Sequence, residues 1–273
     1  MAGQDNTHGL EMRSDVVVKR FTSWARGEPQ REWRALTLLA RYAPGLAPQP
    51  LDADLEGEPP TVAMSRLAGH PLRGTVVSGR SATALAKALA ALHGAIPQKV
   101  LAEIPEGAWN VAKAVSKAQD WCAQEQLFGP DLQTERAFYE GRRWLDAAPL
   151  DDLVKADPVP VFGLTDGNLA NYLFDGEVVR LVDFEDSGRS DRVFELAEIA
   201  EHPSGWVDST LDVEGLLGHF SLTDMEAARL RDVRRLLALL WLIMLLPGRP
   251  GFDRNPAGTA ERQATRLLAL LGV

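Results

Sequence analysis

"LTDGNLANYLFDGEVVRLVDFEDSG", residues 164–188, decides how this chain is read. Asp166 is followed five residues on by Asn171, and twelve residues after that by Asp183. Two apolar runs, "NYLF" and "EVVRLVDF", flank Asp175–Gly176, a dipeptide that favours a tight hairpin because both residues tolerate positive φ. Asp and Asn are also ordinary turn residues, whose side chains bond their own backbone. The other reading is a site for a magnesium–nucleotide complex. Magnesium prefers oxygen ligands and takes only one or two carboxylates from a protein. An Asp at a strand end and an amide on the preceding loop meet such an ion when a hairpin folds them together. A further Asp on that loop, not used for metal, can accept the proton of a substrate hydroxyl.

Outward from this stretch the chain divides in two. "DVVVKRF", residues 15–21, is β-branched and follows a weaker segment, "THGLEMR", with a turn at Ser14–Asp15. "PQREWRALTLLARYAPG", residues 29–45, predicts a helix: Pro29 suits its first turn, Trp33, Leu36, Leu39 and Ala40 recur at helical spacing, and Pro44–Gly45 stop it. A strand near Leu51, an acidic turn at Glu56–Pro60 and a second strand, "TVAMSRL", follow. Beyond Gly69 and Pro71 the character changes. "SATALAKALAALHGAIP", residues 81–97, predicts a helix capped by Ser81. Residues 108–147 read as one or two more helices, and from Asp191 the chain is helical again after the hairpin interrupts it. The order is a small strand-rich lobe with one helix, then a mostly helical lobe holding one β-hairpin, which is α+β segregation. The division falls between 1–67 and 68–273.

Composition narrows the function. The chain has 273 residues, 45% hydrophobic and 25% charged, an ordinary globular composition. A net charge of −9 argues against non-specific nucleic-acid binding, which needs a basic surface. It suits a cationic small substrate, but plain solubility explains it as well and is the preferred reading. One cysteine, Cys122, allows no internal disulfide and no cysteine cluster for zinc; it reads as a buried structural thiol. The first residues hold no apolar signal region. "LLALLWLIMLL", Leu236–Leu246, is too short to span a bilayer and Pro247 ends it, so it reads as a core helix. These features predict a cytoplasmic protein without membrane or nucleic-acid partners.

Asp166, Asn171 and the run "VDFEDSGRSDRVFELA" together resemble the aminoglycoside phosphotransferase and choline kinase family. The resemblance implies a protein-kinase-like two-lobed fold, with a small antiparallel-sheet N-terminal lobe that binds nucleotide (1–67) and a helical catalytic and substrate lobe (68–273). It implies transfer of the γ-phosphoryl group of ATP or GTP to a hydroxyl of a small molecule, such as an aminoglycoside-like antibiotic or an amino alcohol, with Mg2+ required. Asp166 would be the catalytic base, and Asn171 and Asp183 the magnesium ligands. Lys19 resembles the strand lysine that contacts the nucleotide's phosphates, and Glu32 the helix glutamate that pairs with it. "TVAMSRLAG" is similar to the linker between lobes, which would set Met64 behind the base and the backbones of Ser65 and Leu67 against it. Asp191 and Glu195 match a structural continuation leading into a buried helix. The acceptor's own contacts are not legible.

Two departures stand out. The family's His-Gly before the base is Leu164–Thr165 here, so something else must support the loop. The stretch "AGQDNT", residues 2–7, would be the phosphate-covering loop with Gly3 as its one glycine, and the sheet's first strand is missing. Both departures favour the runner-up, a catalytically weak or inactive nucleotide-binding pseudokinase with a regulatory role. The retained Asp166, Asn171 and Asp183 oppose it. Elsewhere, His93 reads as a helix-end residue, and His8, His70, His202 and His219 show no metal spacing. The tryptophans sit in helical patterns and read as packing. Glu198 and Glu201, three apart on one helix face, could meet an amine or be a solvated surface; the surface reading is preferred.

Overall fold

A computed structural model describes residues 8–155 and 158–273. In chain order its elements are β1 (Gly9–Met12), β2 (Val16–Arg20), α1 (Glu28–Tyr42), β3 (Pro50–Asp54), β4 (Thr61–Ser65), β5 (His70–Pro71), β6 (Val76–Val77), α2 (Gly79–Ala95), α3 (Gln98–Leu101), α4 (Val111–Cys122), α5 (Leu132–Ala147), α6 (Leu150–Lys155), β7 (Pro160–Gly163), β8 (Tyr172–Phe174), β9 (Val179–Leu181), β10 (Gly188–Asp191), α7 (Arg192–Glu201), β11 (Thr210–Leu211), α8 (Val213–Leu217), α9 (Asp224–Met244) and α10 (Thr259–Leu271). The expected covering loop at residues 2–7 lies outside the described residues.

The β-branched run Val16–Val18 sits inside a four-stranded antiparallel sheet of order β1-β2-β4-β3. Lys19 stands opposite Leu10 on one side and Val62 on the other. Its side chain is buried. Helix α1 begins after Gly27, whose φ of 80° suits glycine, and carries Pro29 in its first turn. Its apolar face, Ala35, Leu36 and Leu39, is fully buried in the cluster that includes Phe21 and Val62. Glu32 shares that buried side, which places a carboxylate under the sheet.

Strands β8 and β9 form the expected hairpin. The Asp175 carboxylate accepts hydrogen bonds from the Glu177 and Val178 N–H groups at 3.0 and 2.9 Å, and Gly176 takes a φ of 103°. β5 adds a third strand beside β8, so His70–Pro71 is already tied to the hairpin only a few residues after β4 ends.

Two apolar cores result. One runs from the sheet and α1 through α2 to the hairpin; the other lies among α4, α5, α7, α9 and α10. Leu164 and Leu169 belong to the first, Phe194 to the second. The loop carrying Asp166 therefore lies where the two cores meet. The leucines of the Leu236–Leu246 run are buried along and just beyond the end of α9, with Trp241 and Met244 half-buried, and among the described residues no helix is long and apolar enough to cross a membrane.

Two local expectations are corrected. Ser78, not Ser81, is the N-cap of α2, and Ser81 closes a capping box from inside the first turn. His93 does not serve the helix end as a charged residue: it is buried, and burial pushes its imidazole down to about 4, so it is neutral. Cys122 is buried as expected, and burial pushes its thiol up to about 11.

Candidate active site

Lys19 is the hub of the sheet side. Its Nζ donates to Glu32 Oε2 at 3.2 Å and to Asp183 Oδ1 at 2.5 Å, and pairs with Glu185 Oε2 at 2.6 Å. Burial opposes the ammonium charge, but Glu32, Asp183 and Glu185 outweigh it and hold the group above its usual range. Glu32 is wholly buried. Residues 183–186 gain two further anchors. His8 Nε2 lies 2.8 Å from Glu185 Oε2 while its Nδ1 accepts from the Thr22 N–H at 3.1 Å. Arg31 on α1 donates to the Glu185 carbonyl and reaches Asp186 at 3.5 Å.

The loop itself leaves β7, which pairs with β10. Leu164 cannot make a histidine's hydrogen bonds, and instead its side chain is buried in the first core. Support comes from Glu195 on α7, whose carboxylate accepts from the Leu164 N–H at 3.0 Å and the Thr165 N–H at 3.3 Å. Burial pushes that carboxyl up to about 7. Thr165 has a φ of 54°, uncommon for a β-branched residue. Its hydroxyl donates to the Asp186 carbonyl at 2.7 Å, tying the loop to the segment after the hairpin. Gly167 has no room for a side chain: a Cβ there would lie 2.4 Å from the Glu198 carbonyl oxygen.

The Asp166 carboxylate accepts from the Asn168 N–H at 3.0 Å and the Asn171 side-chain amide at 2.9 Å. Burial at the floor of the cleft pushes it up to about 7, with Asp183 and Asp186 adding to the effect and these hydrogen bonds opposing it. The Val182 N–H donates to the Asn171 carbonyl at 2.9 Å, so the loop and the strand end are joined beside Asp183. Asp183 has a φ of 68°. Two non-glycine residues in left-handed conformations flank one small region, the kind of backbone strain that clusters at functional sites.

These residues border two cavities. The first, about 340 Å3, is lined by every site residue expected from the sequence: Lys19, Glu32, Met64, Ser65, Leu67, Asp166, Asn171 and Asp183. On its linker wall the Ser65 N–H donates to the Gln49 carbonyl and the Arg66 N–H to the Asp15 carbonyl, whereas nothing among the described residues accepts from the Leu67 N–H. The second cavity, about 320 Å3, is walled by Trp109, Trp121, Trp241 and Phe194, with Glu198 among them. Asp166 and Glu185 line both.

Reading the sequence missed this second wall. Trp109 precedes α4, Trp121 lies on α4 and Trp241 on α9, and each alone is indistinguishable from core. The preferred surface reading of Glu198 and Glu201 is overturned, for both are buried. Glu201 is clamped by Arg234 at 2.7 Å and Arg266 at 3.0 Å, so it is unavailable to an amine. Glu198 opens on the second cavity, and burial raises its carboxyl well above the usual range. His202 and His8, set aside for lack of metal spacing, both reach the site.

A magnesium ion is compatible with the donor set. The Asn171 side-chain oxygen accepts no hydrogen bond among the described residues, and Asp183 spends one carboxylate oxygen on Lys19 and keeps the other. Both oxygens are hard donors on one cavity wall. No cluster of three or more acidic, His or Cys ligands exists among the described residues.

Residues 6–231 match a family model described as the phosphotransferase enzyme family. No curated protein matches the chain by sequence. Among solved structures, a choline/ethanolamine kinase family protein from Mesorhizobium loti is similar at 18% identity and a TM-score of 0.62, covering 99% of this chain and 87% of that one. A spectinomycin phosphotransferase solved with ADP and spectinomycin is similar at 13% identity, TM-score 0.61, with 98% and 87% covered. A choline kinase from Streptococcus pneumoniae is similar at 15% identity, TM-score 0.57, with 100% and 92% covered. At such identities the likeness is one of fold: a protein-kinase-like pair of lobes, with a small antiparallel sheet in one and helices in the other.

Proposed function

The chain belongs to the phosphotransferase enzyme family, and on that premise we propose that it transfers the γ-phosphoryl group of ATP (or GTP) to a hydroxyl of a compact small molecule. The observation that carries this reading is the shared wall: Asp166 faces both cavities, one fit for a donor and one for an acceptor. Residues 1–67 would hold the nucleotide and 68–273 the catalytic loop and acceptor. The end of β4 at Ser65 and the pairing of His70–Pro71 with the hairpin support that division.

In this scheme Met64 backs the base, and the backbones of Ser65 and Leu67 meet it; the unspent Leu67 N–H supports that role. Lys19, steadied by Glu32, grips the phosphates, exchanging its bond to Asp183 for phosphate oxygens. Asn171 and Asp183 would hold Mg2+, which neutralises phosphate charge when bound. Asp166 accepts the acceptor's hydroxyl proton as its oxygen bonds to the γ-phosphorus and the bond to the β-phosphate oxygen breaks, releasing the nucleoside diphosphate. The ADP held by the similar spectinomycin phosphotransferase supports a nucleotide donor.

Of the acceptors this scheme admits, an amino alcohol fits better than a polycationic aminosugar. Lys19 and Arg31 already pair with Glu185 and Asp186, which leaves Glu198, beside the base Asp166, as a wall carboxyl with no ion pair among the described residues. Aromatic walls favour one ammonium with an apolar body. The test has two steps. Thermal unfolding with Mg-ATP and Mg-GTP should show a stabilising shift that Asp183→Ala abolishes, because a ligand of the folded state raises stability by mass action. Release of ADP or GDP should then rise with monoamine alcohols more than with kanamycin or spectinomycin. Absence of any nucleotide-dependent shift sinks the reading.

A further inference from the structure

We propose that His202 is a positioning residue for the base: its Nε2–H steadies the Asp166 carboxylate from outside the loop, a task that Leu164 cannot perform. The proposal rests on the reading of Asp166 as the group that takes the acceptor's proton.

The proton's place on the ring follows from its partners. The Ser204 N–H donates to His202 Nδ1 at 3.1 Å. The Ser204 hydroxyl oxygen is 2.8 Å from the same nitrogen, and that oxygen already accepts the Leu169 N–H at 2.8 Å. The hydroxyl hydrogen is thus free to point at Nδ1. A ring nitrogen that receives donors carries no proton, so the neutral ring is protonated at Nε2. Nε2 lies 3.6 Å from Asp166 Oδ1. That distance is longer than a hydrogen bond. Catalytic hydrogen bonds commonly start long and tighten only when substrate is bound.

The ring cannot easily turn away. It packs edge-on against Trp241, with centroids 4.8 Å apart and planes at 78°, and Trp241 is a wall of the acceptor cavity. Burial, with Arg73 nearby, pushes the imidazole down to about 3, so it orients the base without placing a full positive charge beside it. Among the described residues, the two other donors to Asp166 both belong to the loop, at Asn168 and Asn171, and move with it. His202 is fixed instead to the end of α7, and Ser204 links it back to the loop at Leu169. A shift of the acceptor-cavity wall at Trp241 would therefore be felt at the base.

The test uses the full chain and needs no knowledge of the acceptor. Steady-state ADP release from Mg-ATP, with water as acceptor, is measured for wild type, His202→Leu, His202→Gln and Ser204→Ala, alongside ATP binding and thermal unfolding. His202→Leu should lower kcat by about ten- to a hundredfold, by analogy with the loss of a partner that orients a metal ligand. The KM for ATP should stay within about twofold. Glutamine offers a side-chain N–H near the place of Nε2, so His202→Gln should recover most of kcat. Ser204→Ala should fall between them. Wild-type kcat in His202→Leu overturns the proposal, as does a folded His202→Gln no better than His202→Leu. Wild type that binds no nucleotide, or releases no ADP, overturns the parent reading and the proposal with it.

Discussion

The two cavities that meet at Asp166 are built in opposite ways. The nucleotide-side cavity takes Lys19 from β2, Glu32 from α1, and Asp166, Asn171 and Asp183 from one short hairpin unit. The acceptor-side cavity draws Trp109, Trp121, Phe194, Glu198 and Trp241 from segments scattered over the helical lobe. The first wall holds oxygens and an ammonium whose positions a phosphate and a metal would dictate. The second holds ring faces and one buried carboxyl, which different packings of the same helices could supply. On the proposed reading, one side is set by the chemistry of a phosphate and a metal, and the other by how this chain's helices pack.

The sharpest way to break this division is at the shared residue. Asp166→Asn should lower kcat by about 10²–10⁴-fold, the usual contribution of a general base. The thermal shift with Mg-ATP should persist, since the nucleotide's own contacts remain. A variant that loses binding and turnover together would show that Asp166 belongs to the donor side alone. Lys19→Met comes next. It strands the buried Glu32 carboxylate and leaves Asp183 and Glu185 without their cation. Removing one partner of a buried pair costs about 3–5 kcal/mol. Urea unfolding should show that loss, together with a weakened nucleotide shift, and Lys19→Met with Glu32→Met should recover part of the stability. Full stability in the single variant would mean that the pair is not the keystone of the sheet side.

How far each side was legible follows from the same contrast. Asp166, Asn171 and Asp183 lie within one hairpin unit, so local spacing was enough to bring them together. Lys19 and Glu32 were legible only through the family resemblance, because a lone lysine at a strand end reads as solvated and a lone glutamate as helix surface. Glu198 and Glu201 failed because their surroundings arrive from elsewhere: Arg234 and Arg266 sit on α9 and α10, and neither leaves a mark on α7's own sequence. Ser81, the serine at the start of the alanine-rich run, was taken for the cap, whereas the chain starts the helix at Gly79 with a φ of 51° and caps it one residue earlier, at Ser78. The replacement for the loop histidine was invisible for a related reason. Its work is split between Glu195 and His202, residues that approach the loop only once α7 has packed.

On the acceptor side the expected effects are smaller, because several rings share the wall. Trp241→Ala should raise the acceptor's KM by roughly 2- to 30-fold, the worth of one cation–π contact at about 0.5–2 kcal/mol. The ATP KM should not move. If ATP and acceptor constants rise together, the cavities are not separable and the comparison fails. If the rise is seen with neutral alcohols as strongly as with amines, the wall recognises apolar area and not charge.

Glu198 gives the finest test, through pH. Burial, with Asp166 and Glu195 nearby, raises its folded-state pKa above the unfolded value. A raised carboxyl contributes stability that is fully present below its unfolded pKa and is lost as pH rises through the folded one. Glutamine keeps the shape but has no proton to lose. Glu198→Gln should therefore match wild type in thermal midpoint near pH 4 and exceed it near pH 8, with the gap opening between them. A cationic acceptor would favour the ionised carboxyl that burial resists, so its binding to wild type should release a proton and its binding to Glu198→Gln should not. Isothermal titration in two buffers of different ionisation enthalpy reads that proton directly. A variant that shows no added stability at pH 8 would mean that Glu198 is already ionised in the folded protein, with a cation close enough to hold it so.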